Sequence, residues 1–358
     1  MQEPRIEENV PLAPRTTLEL GGPARWYLQA RREGTLVEGL RWAESRGIRV
    51  AILGGGSNLV VPDEGFDGLV IDVQMQGHVL RRTDGDRVLF DVAAGESWDD
   101  FVAYAVANGL AGIECLAGIP GRVGATPIQN VGAYGQEVRE TIRGVRVLER
   151  GTYAITTLDN EECNFDYRDS RFKREPDRFV VLSVLFALAP EGAPAVRYAE
   201  LEKALAGTAP SLSVVRETIL RLRRAKSMVL DPDDENRRSA GSFFMNPIVD
   251  TASAERVVGA ALREGIVSDA SQVPRWDAGP GRVKLAAGWL VEKSGMQRGL
   301  RNGHVGLSSK HALALVHHGG GTTAELIAFA ERVRASVRSR FGVELEREPV
   351  LLGARPTP

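Results

Sequence analysis

The sequence predicts a protein of two or three domains in which helices and strands mix. Three observations carry that reading. At 358 residues the chain is longer than one ordinary core sustains. Helical stretches with readable caps alternate with short β patterns. A content of 39 glycines makes the chain rich in turns.

The elements follow in order. A helix is expected from about Leu36 to Arg46, with Thr35 and Glu38 as a capping box and Gly47 as a left-handed stop. A strand Ile48 to Leu53 leads into Gly54-Gly55-Gly56-Ser57-Asn58, and the apolar run Leu59-Val60-Val61 follows. Val88, Phe90 and Val92 alternate as a half-buried strand. Ser97 then caps a helix with Trp98, Phe101, Val102 and Ala105 on one face, stopped by Gly109. The longest apolar run, Val180 to Ala189, is far short of a membrane span and reads as a buried strand. A basic helix, Arg216 to Lys226, turns Val215, Ile219 and Leu222 inward and most of its arginines outward. The third region starts near Met228 and holds a helix around Ala254 to Arg263. It closes with a helix Ala324 to Phe341, capped by Thr322 and Glu325, with Leu326, Phe329, Val333 and Val337 as its stripe. After Gly342 a strand sends Val343 and Leu345 one way and Glu344, Glu346 and Glu348 the other.

Charge and cysteine usage narrow the function classes. Forty-five basic against 47 acidic side chains give a net charge of -2, so no global field draws nucleic acid or an anionic membrane. The polar stretch Met1 to Arg15 is not a signal peptide. Cys115 and Cys163 offer no disulfide framework, which fits free thiols in a cytoplasmic protein. Five histidines show no ligand spacing, no metal site is expected, and His317-His318 reads as a solvated loop pair.

Three segments carry candidate chemistry. The Gly54 to Asn58 loop lies between two strands, so it opens no helix, and it lacks the lysine of a phosphate-binding loop. What remains is a row of backbone N–H groups able to face an anion, with a plain hairpin as the alternative. Gly118 to Gly135 is an uncharged, apolar, glycine- and proline-rich stretch apart from Arg122, unusual for a solvated loop and explained by a flat bound cofactor. In Ala240-Gly241-Ser242-Phe243-Phe244-Met245-Asn246-Pro247, a serine and an asparagine sit within an aromatic wall. Such a polar group is either hydrogen-bonded for structure or held for chemistry.

Five motifs occur here in one order: Leu53 to Asn58, Gly118 to Gly135, Tyr167-Arg168-Asp169-Ser170, Ala240 to Pro247, and Glu346 to Gly353. Together they resemble the UDP-N-acetylenolpyruvoylglucosamine reductases, over nearly the whole chain from Thr16 to Gly353. The resemblance implies an α+β protein: a two-part FAD-binding region of vanillyl-alcohol-oxidase type plus a separate α+β substrate-binding domain. Residues 1–75 and 76–227 would be the two flavin subdomains, 228–342 the substrate domain, and 343–358 a return to the second subdomain. Leu53, Gly54, Gly55, Gly56, Ser57 and Asn58 would meet the pyrophosphate of a non-covalent FAD. Pro127, Gln129, Asn130, Gly132, Ala133 and Tyr134 would meet its ring system.

The resemblance further implies NADPH as hydride donor and reduction of the enolpyruvyl double bond of a UDP-sugar. Ser242 is implied as the proton donor, Glu348 as its partner on the developing enol and Arg168 as the cation on the carboxylate. Tyr167, Tyr198, Lys226 and Asn246 are implied as substrate ligands, and Tyr198 places the chain in the type I branch. Thr16, Arg122, Thr126 and Met245 depart from the usual pattern. A monomer without nucleic-acid partner or membrane insertion is expected. The alternative is an FAD-dependent oxidase on the same scaffold, in which flavin is often attached through His or Cys. No histidine lies in the glycine-rich loops, and Cys115 stands just before Gly118. A nucleotide-binding regulatory protein without catalysis is disfavoured by Arg168, Ser242 and Glu348 all being present.

Overall fold

A computed structural model describes residues 4–207 and 209–353. They group into two compact units, one from 4–10, 24–56 and 67–230, the other from 11–23, 57–66 and 231–353.

In the first unit a four-stranded sheet runs in the order Glu7–Pro11, Pro23–Ala30, Phe66–Val73, Val50–Leu53. A larger antiparallel sheet runs Ile155–Asp159, Ile142–Glu149, Phe179–Pro190, Arg87–Ala93, His78–Asp84. Its middle strand, Phe179–Pro190, is the expected apolar run, and it reads as a run because both of its faces are covered. One continuous core reaches from Leu28 to Leu220 and includes Trp98, Phe101 and Phe186. It crosses the expected 75/76 boundary, so these residues form one unit.

The helix expected at Leu36 begins earlier, at Glu33–Glu44, with Arg32 at its N-cap and no side-chain cap. Thr35 therefore sits inside the first turn instead of capping it, and Glu33 takes Arg146 as its partner. Gly47 does adopt the left-handed conformation, at φ +63°. Ser97 caps Trp98–Ala107 as read, accepting from the Asp100 N–H. Leu212–Arg224 is capped by Ser211 and stops before Lys226, which lies in the following turn.

The second unit holds a sheet Ser239–Ser242, Ala314–His317, Val305–Leu307, Arg301–Asn302 and a smaller one Ile248–Asp250, Arg282–Leu285, Arg275–Asp277. Asp250 caps Thr251–Arg263. Thr322 and Glu325 form the predicted capping box of Thr323–Phe341, which ends at Gly342 with φ +68°. All four predicted stripe residues are buried. Two N-terminal pieces complete this unit. The Asp63 carboxylate accepts from the Thr323 and Ala324 N–H groups at 2.7 and 2.9 Å, at the positive end of that helix. Leu18, Leu20 and Val60 join its core.

The expected return of 343–358 to residues 76–227 is not seen. Val343 and Leu345 bury in the second core, and Val350–Leu351 pairs in parallel with Leu59–Val60. Beyond 353 the expectation lies outside the described residues. His317 is also no solvated residue. It ends a buried strand, its Nδ1 lies 3.2 Å from the Leu18 carbonyl and its Nε2 accepts from the Gly321 N–H.

Buried Asp72 ties the first unit together. It accepts from the Tyr27 hydroxyl and the Gln74 amide, both at 2.6 Å, and pairs with Arg122. Removing one partner of such a pair leaves the other charge uncompensated. Asp72→Ala is expected to cost about 3–5 kcal/mol in urea unfolding. Removing the exposed Arg25–Asp67 pair should cost under about 1 kcal/mol. Equal effects would show that Asp72 holds nothing.

Candidate active site

Gly54, Gly55 and Gly56 leave the Val50–Leu53 strand and open no helix, as the sequence predicts. A Cβ on Gly55 would stand 2.6 Å from Gly121 Cα, so the two glycine segments touch backbone to backbone. The glycine at 55 is thus required by Gly121 and makes no room for a ligand. Gly54 is different, because a Cβ there would meet only the Ala125 Cβ, at 3.9 Å. Among the described residues, the N–H groups of these three glycines meet no protein acceptor. Unused donors beside open space fit the anionic bridge of a flavin. Arg122 and Thr126 are also accounted for. Arg122 pairs with Asp72 and donates to the Val73 carbonyl, while buried Thr126 donates to the Val123 carbonyl at 2.8 Å.

The next stretch is laced to the Tyr167 to Ser170 turn. Ser170 Oγ donates to the Ile128 carbonyl and Arg168 Nη2 to the Gly132 carbonyl, both at 2.5 Å. Asn130 is fully buried and donates from Nδ2 to Glu137 and to the Asp166 carbonyl, so its side chain shapes the loop. Asn130, Tyr134 and Arg168 all hold positive φ, at 43°, 49° and 54°. Left-handed non-glycine residues cost on the order of 1–3 kcal/mol each and collect where a structure is built around a task. Pro127 is buried, and Gln129, Gly132 and Ala133 are half-buried along the same loop. Asp169 is taken by Arg174, which leaves the Arg168 guanidinium on Gly132 and against the Tyr167 ring at 5.4 Å.

Tyr134 also collects two of the predicted substrate ligands of this unit. Tyr198 meets its ring edge-on at 5.6 Å, and Lys226 Nζ lies 5.8 Å from its centre. Burial pushes the Tyr134 phenol up to about 12, with Arg223 opposing and Glu200 adding, so it is a neutral donor at physiological pH. Arg223 is a residue the sequence reading missed. It was counted among the outward arginines, yet it turns in beside Gly118, donates to the Met228 carbonyl at 2.6 Å, and burial lowers its pKa. Its position at the helix end, after the amphipathic pattern fades, hid it. Buried Glu114 fixes the start of the Tyr198 segment by accepting from the Ala195 N–H at 2.7 Å. Cys115 is buried beside it, donates to the Ala195 carbonyl at 3.0 Å, and burial pushes its thiol up to about 12. Such a thiol is a poor nucleophile, which removes the sequence feature that favoured covalent flavin.

In the second unit Ser242 ends the Ser239–Ser242 strand opposite Ala314, after Gly241 at φ +72°. The chain then pairs antiparallel with 346–348. Phe244 bridges Arg347, the Met245 N–H donates to the Glu346 carbonyl, and the Glu348 N–H donates to the Phe243 carbonyl, each bond 3.0 Å long. Ser242 and Glu348 thereby come onto neighbouring rungs, both half-buried, beside the buried Phe243 and Phe244 rings. Asn58 holds the other side of Glu348. Its Nδ2 donates to the Glu348 carbonyl at 3.3 Å, and its own carbonyl accepts from the Val350 N–H at 3.0 Å. Asn246 Oδ1 accepts from the Ala287 N–H at 2.9 Å and so starts the Ala287–Lys293 helix.

Comparison with known proteins agrees with this division. A family model described as an FAD binding domain matches residues 24–156, and one described as the C-terminal domain of UDP-N-acetylenolpyruvoylglucosamine reductase matches 231–352. The UDP-N-acetylenolpyruvoylglucosamine reductase of Streptomyces avermitilis is 48% identical over 350 residues, covering 96% of this chain and 94% of its own. That of Thermobifida fusca is 46% identical, covering 96% and 97%. The crystal structure of the Thermus caldophilus enzyme superposes with a TM-score of 0.65 at 24% identity over 97% of this chain and 98% of its own, a likeness of fold. At 46–48% identity across almost its full length, this chain belongs to the UDP-N-acetylenolpyruvoylglucosamine reductase family.

Proposed function

We propose that this protein reduces the enolpyruvyl double bond of UDP-N-acetylenolpyruvoylglucosamine to give UDP-N-acetylmuramate, with NADPH as the source of hydride. It is an FAD-dependent oxidoreductase of peptidoglycan precursor synthesis. We place the reaction in the cytoplasm, carried out by a monomer. Among the described residues no helix is long and apolar enough to cross a membrane.

The observation that carries the proposal is the backbone pairing of 243–245 with 346–348, which sets Ser242 and Glu348 one rung apart beside an aromatic wall. The chemistry that bound FAD would supply is hydride transfer from NADPH to one alkene carbon. The other carbon then carries negative charge shared with its carboxylate and needs a proton. A serine hydroxyl is a weak acid in water, but the wall limits competing solvent, and its place at the strand end fixes its aim. We assign Ser242 to deliver that proton and Glu348 to stabilise the enol form and renew the proton. Arg168, fixed by Gly132, supplies a guanidinium fork for the substrate carboxylate. Tyr167, Tyr198, Lys226 and Asn246 are assigned to the sugar nucleotide, and the backbone of Leu53 to Asn58 and of Pro127 to Tyr134 to FAD.

Ser242→Ala tests the central assignment. NADPH should still bleach the flavin at nearly the normal rate, because that half-reaction uses no carbon acid. Reoxidation by the enolpyruvyl substrate should slow by about 10²–10⁴-fold. Stopped-flow absorbance times the two separately, and equal slowing of both would assign Ser242 to the fold or to flavin instead.

The glycine loop has its own test. Gly54→Asp should lower the flavin content of purified protein, since its carboxylate would enter open space beside unused N–H donors. Gly55 variants disturb Gly121 whatever binds there, so they do not discriminate. Full flavin occupancy in Gly54→Asp would put the pyrophosphate elsewhere.

A further inference from the structure

Lys226 is not empty-handed. Glu200, the second residue of the Ala199–Ala204 helix, accepts from its Nζ at 2.6 Å. Both side chains are 37% exposed, so the pair is open to solvent and to an incoming ligand. Tyr198, two residues before Glu200, packs on Tyr134, and Lys226 lies over that same ring. A carboxylate thus sits beside Tyr198 and Lys226, two residues assigned to a sugar nucleotide, on the one that carries a positive charge. Glu200 cannot help to hold a diphosphate, because like charges repel at that spacing.

We propose that Glu200 is an internal occupant of the anion site at Lys226 and thereby sets the affinity for the diphosphate of the substrate. The inference rests on the reading of Lys226 given above. A diphosphate arrives with more than one negative charge and draws Lys226 away from a single carboxylate. A ligand without phosphate has nothing to exchange for the pair. Glu200 therefore trades absolute affinity for discrimination, which is how a repulsive element contributes to specificity.

The experiment uses the flavin-loaded full chain and reads binding of UDP and of uridine, by calorimetry and by the flavin absorbance change. An exposed ion pair contributes about 0.2–1 kcal/mol. Glu200→Gln should therefore tighten UDP by about 1.5–5-fold, since 1.4 kcal/mol is tenfold. Uridine affinity should not change, and the gain should shrink as salt is added. Glu200→Ala should move UDP in the same direction, which excludes an effect of the new amide. With the enolpyruvyl substrate, KM should fall while kcat stays level, the mark of binding shared by ground and transition states.

Lys226→Gln should weaken UDP, and Glu200→Gln should gain less in that background than it gains alone. If Lys226→Gln weakens UDP while Glu200→Gln leaves it equal or weaker, the inference is overturned and the reading of Lys226 stands. If Lys226→Gln binds UDP normally, both are wrong. Tightening of uridine as much as of UDP would also overturn the inference, because it would make Glu200 a hinge for the Tyr198 segment with no link to phosphate.

Discussion

The contact between Gly55 and Gly121 constrains everything around the candidate flavin loop. Two stretches of backbone lie so close that no side chain fits at position 55. Packing of this kind brings no favourable side-chain burial of its own, so something else must press the segments together. Asp72 and Arg122 do so, with Tyr27 and Gln74 satisfying the remaining carboxylate capacity. Asp99 adds a second anchor by accepting from the Gly118 N–H at 2.6 Å. The unused N–H groups of Gly54 to Gly56 are one result of this frame. Backbone donors left without a protein acceptor do not serve the fold, and so the fold is secured by side chains on either side of them.

In the other unit the constraint is a strand pairing. Ser242 and Glu348 are far apart in sequence and come onto neighbouring rungs because 243–245 and 346–348 exchange backbone hydrogen bonds. Backbone pairing positions side chains more tightly than a loop could, and a proton donor needs that tightness more than it needs a shifted acidity. Asn58 extends the pattern by engaging both the Glu348 carbonyl and the Val350 N–H. A residue expected to face only a cofactor is thus also part of the support for the carboxylate.

Much of this was legible in the sequence where the signal is local. Ser97, the Thr322–Glu325 box and the glycines at 47, 109 and 342 do what their chemistry dictates. The Val180 run is buried because it is central. Local signals failed where a distant partner decided the outcome. The first helix starts at Glu33, two residues before the capping box that its sequence offers. Arg223 turns inward although charge at a helix end ordinarily faces water. The positive φ values of Tyr134 and Arg168 belong to residue types that rarely adopt them, so no propensity announces them. The proposed site residues come from the order of five motifs. Their sharing out between two units was not, because 11–23 and 57–66 carry no mark of where they pack.

Those two short segments have a consequence for how the chain is made. Synthesis runs from the N-terminus, and the first unit is complete once residue 230 has emerged. Leu18, Leu20 and Val60 have no core to enter until Phe329, Val333 and Leu345 exist. At ~5–20 residues per second, the apolar residues near position 60 wait roughly 15–60 s. In the last part of that interval, once residue 230 has emerged, they are exposed on a nascent chain whose first unit is already complete. A fragment beginning at 231 inherits the opposite defect, with the Thr323–Phe341 helix missing Asp63 at its start and the core missing three of its residues.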